Sequence, residues 1–73
     1  MHVFEKGMIF PSQRAVIVKR TKKTVSIAFY GLNWEYVETK TKKIRFDERC
    51  KTEYVFTHGN MVTYPNSFNP FEI

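Results

Sequence analysis

Apolar residues take every second position in "TVSIAFY", residues 24–30. Val25, Ile27 and Phe29 fall on one side, and Thr24, Ser26, Ala28 and Tyr30 on the other. A half-buried β-strand needs this period, because successive side chains leave opposite faces of the pleat. The alternation returns in "TKTKKIRF", 39–46, where Ile44 and Phe46 share one side and Lys43 and Arg45 the other. The longest stretch without glycine or proline, 32–58, is crowded with Thr, Val, Ile, Tyr and Phe, which favour strands over helices. The pattern predicts five strands: 14–19, 24–30, 34–46, 52–57 and 60–64. The first contains a continuous apolar run, Ala15 to Val18, so it is either covered on both sides or bent. The third is long enough to bend or break in its middle.

The connections are short. "KRTKK" joins the first two strands as an antiparallel hairpin. "GLN" at 31–33 turns the chain, with Gly31 free to take positive φ. "HG" at 58–59 forms a tight turn, and Pro65 ends the last strand. Short antiparallel strands of this kind hide their edges best by closing on themselves. The expected fold is all-β: a small five-stranded antiparallel barrel or curved sheet over 1–64, which begins with an arm containing Gly7 and Pro11. An extended C-terminal tail follows over 65–73. The layout resembles the SH3-like small barrels, which include Tudor and KOW modules. The resemblance lies in strand count and length, not in motif. With only Gly7, Gly31 and Gly59, the chain lacks the KOW glycine pattern, and it also lacks the SH3 acidic loop and its "ALYDY" run. An OB-like barrel is the second architecture, though it normally needs more residues and a helix.

Composition limits how such a fold is held together. Seventy-three residues make one domain, which buries only ~60% of the surface its unfolded chain exposes. A single cysteine, Cys50, excludes an internal disulfide, and His2 and His58 have no zinc-finger spacing. Stability must come from packing, for which the aromatic residues are the main supply, or from a partner subunit; the first argues for Trp34 in the core. The tail "PNSFNPFEI" reads as a strap that packs Phe68 and Phe71 onto the body. Its "NPF" resembles the ligand motif of EH-type adaptor domains.

Charge suggests a partner. Twelve Lys and Arg against seven Asp and Glu leave +5, which favours an anionic surface, although a value of this size also serves solubility. Lys19, Arg20, Lys22 and Lys23 gather at the first hairpin tip. Lys40, Lys42, Lys43 and Arg45 follow along the third strand. If strands 24–30 and 34–46 are neighbours, one face carries Lys43, Arg45, Thr24, Ser26 and Tyr30. Trp34 and Tyr36 stand at the start of the third strand. Cations for phosphates, hydroxyls for hydrogen bonds and aromatics for bases make a backbone-binding surface. Lys19, Arg20, Lys22, Lys23, Lys43 and Arg45 are the expected phosphate contacts, and Tyr30 and Trp34 are the stacking residues if they are exposed. Because lysine outnumbers arginine, contact with the backbone is favoured over base readout. The competing explanation is that lysines guard strand edges and hairpin tips.

The partner is therefore expected to be nucleic acid, DNA or RNA, or else the acidic surface of another protein. In the second case the chain docks through sheet edges, basic loops or its aromatic tail, as a small viral or accessory regulator would. Monomer and homodimer are both compatible with the sequence. An enzyme is not expected. Cys50 and His58 form the one nucleophile–base pair, with Asp47 or Glu48 to orient it, and their spacing forces no contact. No phosphate-cradling loop is present, and no cofactor or metal is expected. "MHVFEKGMIFPSQR" lacks a leader pattern, and no ~18-residue apolar run exists for a membrane span. A lone cysteine without an Asn-x-Ser/Thr site fits a reducing, intracellular compartment.

Overall fold

A computed structural model describes residues 1–57 and 59–67. They form two antiparallel sheets with no α-helix. The first sheet has the order β1 (Ile9–Phe10), β2 (Ala15–Arg20), β3 (Thr24–Tyr30), β4 (Tyr36–Lys43). The second has the order β5 (Arg45–Asp47), β6 (Thr52–Phe56), β7 (Val62–Thr63). Seven short strands thus stand where five were expected, and they do not close into a barrel among the described residues. The extra strands have local causes. The N-terminal arm is not loose: Ile9 and Phe10 pair with Val16 and Ala15. The long third strand breaks at Ile44, so its two halves serve different sheets.

The alternation of 24–30 is realised except at Ala28, which was expected on the outer side but is buried at 2% exposure. Val25, Ile27 and Phe29 are buried, together with Ala15 and Ile17 from β2 and Val55 from β6. Phe4 and Phe10 from the arm complete this core, their rings edge-on at 6.3 Å. Ile44 packs against it at the break between sheets. Phe46 does not follow: it keeps 42% of its surface exposed because β5 is an edge strand.

Two register shifts decide which side chains face where. In β2, Ile17 pairs with Ile27 but Lys19 pairs with Ser26, so Val18 is a bulge. The apolar run 15–18 therefore bends, and Val18 is exposed. In β4, Glu38 pairs with Phe29 but Tyr36 pairs with Tyr30, so Val37 is a second bulge. Each bulge adds one residue and inverts the facing of all that lies beyond it.

The first inversion turns Arg20 inward, beside Val25. There its guanidinium meets Glu53 on β6 in a two-pronged pair. The second prong, Nη2 to Oε2, measures 2.8 Å. The Phe4 amide donates to the same carboxylate at 2.8 Å, and Arg20 Nη1 donates to the Phe4 carbonyl at 3.2 Å. This cluster ties both sheets and the arm together. Burial pushes the Glu53 carboxyl up, but the hydrogen bonds from Arg20 and the Phe4 amide, with the Arg20 charge, outweigh it and hold the carboxyl below its ordinary range. Arg20 is raised chiefly by its hydrogen bond to Glu53, against the opposing effect of burial.

The start of the tail rests on the body. Pro65 is fully buried, Asn66 Nδ2 donates to the Ile9 carbonyl at 3.0 Å, and Ser67 Oγ lies 3.0 Å from His2 Nδ1. The expected packing of Phe68 and Phe71, and the His58 half of the 58–59 turn, lie outside the described residues.

Candidate nucleic-acid interface

The outer face of the first sheet is set by its ladder. Antiparallel partners directly opposite share a face. Lys19, Ser26 and Thr41 therefore form one row across β2, β3 and β4, and Thr24 and Lys43 form the next. Ser26 Oγ and Thr41 Oγ1 lie 3.0 Å apart. Toward the other end come Val16, Ala28 and Thr39, and then Tyr30 beside Tyr36. From Thr24 to Tyr30 this surface runs ~20 Å along the strand.

One end is cationic. Lys22 and Lys23 occupy the hairpin tip, which is closed by Thr21. Its amide donates to the Thr24 carbonyl at 2.9 Å, and its hydroxyl accepts from the Thr24 amide at 3.0 Å. The carbonyl of Lys23 accepts from the Ile44 amide at 2.8 Å, which anchors the tip to the end of β4. Among the described residues no carboxylate lies within ion-pair distance of Lys19, Lys22, Lys23 or Lys43. The acids of β4 do not interleave with them, because Glu38 falls on the opposite face, opposite Phe29, where it lies 3.9 Å from Lys40.

The other end is aromatic. Tyr30 packs against Trp34 at 5.9 Å and against Tyr36 at 6.0 Å. Trp34 is 48% exposed and Tyr36 60%, so the expectation of a buried Trp34 is corrected. The turn explains it. Gly31 and Glu35 close a loop whose last residue, Trp34, has φ 59°. Three-residue hairpin loops end on such a left-handed residue, and glycine normally supplies it. Gly31 does not take positive φ as expected. Its open side is occupied instead by the Glu35 carboxylate, which accepts from the Asn33 amide at 2.9 Å and would have to swing aside for a Cβ at this position. Left-handed geometry costs a bulky residue about 1–2 kcal/mol, and it lifts the indole away from the core.

The remaining expected contacts lie elsewhere. Arg20 does not join the group, since its guanidinium is bound to Glu53 on the inner side. Arg45 does not share the face with Lys43 either. Alternation counted through 43–46 treats these residues as one strand, whereas Ile44 separates two sheets. Arg45 instead lies over the Phe56 ring at 5.4 Å. Tyr36, which stands with Trp34 at the start of the expected third strand, belongs to the cluster because of the Val37 bulge. Cys50 is half-buried in the turn after β5, and its proposed partner His58 lies outside the described residues. No helix among the described residues is long and apolar enough to cross a membrane.

No protein-family model, no curated protein and no solved structure matches this chain.

Replacing Trp34 by Gly removes both the strained φ and the ring contact with Tyr30. These terms nearly cancel, so stability in urea should change by less than about 1 kcal/mol. A core tryptophan would instead lose about 3–5 kcal/mol on truncation, and a loss of that size would show that the indole holds the fold together.

Proposed function

We propose that this chain is a small all-β binding module, SH3-like in strand layout, that contacts the backbone of a nucleic acid through the outer face of β2, β3 and β4. One observation carries the reading: two bulges re-aim Lys19 and Tyr36 onto the face that already holds Lys43, Ser26, Thr41 and Tyr30. Bulges are retained where they redirect a side chain toward a task. Lys19, Lys22, Lys23 and Lys43 neutralise phosphates, the hydroxyl row donates to backbone oxygens, and the Tyr30–Trp34–Tyr36 cluster stacks on bases. Exposed aromatics need unpaired bases, so single strands fit better than duplex.

The test is a fluorescence titration with a labelled single-stranded oligonucleotide across salt concentrations. Neutralising about four phosphates predicts a slope of log K against log salt near −3, since each contact contributes about −0.7 for a single strand. The single tryptophan should be quenched in the same titration. A flat salt response, or binding with unchanged Trp34 emission, would overturn the reading.

A second reading rests on a different observation. β4 has a neighbour on one side only, and Leu32, Trp34, Tyr36 and Val37 expose apolar surface at its start. An extended peptide could add a strand there. Such binding would protect β4 amides from exchange and depend weakly on salt, which separates it from the first reading.

A further inference from the structure

Where β4 gives way to β5, a cleft of about 170 Å³ opens between the two sheets, lined by Lys42, Lys43, Arg45 and Phe56. Lys42 and Lys43 alternate across β4, yet the break at Ile44 brings both to one rim. Arg45 pairs with Tyr54, and Phe56 stands two residues further along the same face of β6. Phe56 and Tyr54 pack edge-on at 5.8 Å, so the guanidinium rests on an aromatic floor. Cation–π attraction to the ring holds the guanidinium at the cleft, and its fork of N–H donors suits two-pronged contact with phosphate. Among the described residues, Lys42, Lys43 and Arg45 have no carboxylate within ion-pair distance.

We propose that this cleft is a phosphoryl-binding subsite selective for a phosphate monoester. Three cations converge on one small volume. An internal phosphodiester brings a single negative charge, whereas a monoester carries about −1.5 to −2 at neutral pH and three acceptor oxygens. The monoester matches the cleft in charge and in number of acceptors. Because Lys43 belongs to both the cleft and the strand-binding face, the cleft lies at the cationic end of that face. Resting on the proposed nucleic-acid reading, the subsite receives the phosphorylated end of a bound strand, and a free phosphate or pyrophosphate presents the same chemistry without the strand.

The experiment compares one oligonucleotide with a 5′ phosphate, with a 3′ phosphate and with hydroxyls at both ends, on the wild-type chain and on Arg45→Gln and Arg45→Lys. Pyrophosphate is titrated separately while amide and arginine Nε signals are followed by NMR. Phosphate at one end should tighten binding about tenfold, the scale of charge-assisted contacts. Arg45→Gln should abolish the gain, and Arg45→Lys should keep part of it. Pyrophosphate should shift Arg45 and Phe56 first. Bound strands with no gain at either end, and pyrophosphate shifts spread over all lysines, would overturn the subsite and leave the face intact. Hydroxyl-ended strands that fail to bind, with pyrophosphate still centred on Arg45, would overturn the polynucleotide reading and leave the subsite standing.

Discussion

Glu53→Ala should be the most damaging single substitution on a polar residue, with a loss of about 2–4 kcal/mol. It strands two donors at once: the Arg20 guanidinium, with side-chain exposure of 26%, and the amide of the buried Phe4. A chain of this length has a total stability of about 4–11 kcal/mol, so the variant would sit near the edge of folding. Each kcal/mol corresponds to about 4–8 °C in a domain of this size, and a melting point within ~3 °C of wild type would show that the cluster is incidental. Glu53→Gln keeps an acceptor for Phe4 and should cost less. The double change Arg20→Met with Glu53→Met removes both charges and should recover part of the loss, since an apolar pair of similar volume replaces an ion pair at little cost. Recovery stays incomplete because the Phe4 amide still lacks an acceptor.

The same pair governs acid stability. The Glu53 carboxyl is held below its ordinary value of 4.5 in the folded chain. Its contribution is therefore fully present above that value and is lost as pH falls through the lower, folded value. Denaturant midpoints should drop between pH 5 and strongly acidic solution in wild type. They should drop less in Glu53→Gln, which has no proton to take up there. Arg20 moves in the opposite sense, its folded value being raised, and it stays charged throughout this window.

The elements with one buried face were legible in the sequence. In 24–30 the side that meets the core must be apolar at every second residue, and β3 occupies the stretch that this alternation marks. That the long strand does not run straight was legible too, but not where it breaks, since Ile44 lies near the end of 34–46 and not in its middle. The facing of Arg20, Lys19 and Tyr36 was not. It depends on the bulges at Val18 and Val37, and a bulge is fixed by register against the partner strand, which local composition does not encode. Nor could the sequence join Arg20 to Glu53, thirty-three residues away. Trp34 was misjudged because aromatic size argued for burial, while the turn demanded a left-handed residue at its own position. Lys43, Thr24, Ser26 and Tyr30 share a face as the alternation implies, because the 24–43 and 26–41 pairings lie clear of both bulges.

Reversing Lys19 and Lys43 together to Glu should weaken oligonucleotide binding at least a hundredfold near 100 mM salt, where two lost phosphate contacts and two new repulsions act on the same strand. The salt slope should become shallower by about 1.4, from two contacts at about 0.7 each. Lys40→Glu is the control. It makes the same charge change on β4, but Lys40 lies opposite Ile27 on the inner-facing side rather than beside Thr24. If the chain attracts strands only through its net charge of +5, Lys40→Glu and Lys43→Glu must weaken binding equally. If the outer face does the binding, Lys43→Glu must weaken it several times more at moderate salt, where screening confines each charge to about 10 Å. All these positions are exposed, so melting points should stay within ~3 °C of wild type. Equal effects at Lys40 and Lys43 would leave a diffuse cationic field and no face, and the re-aiming of Lys19 by the Val18 bulge would then serve the fold alone.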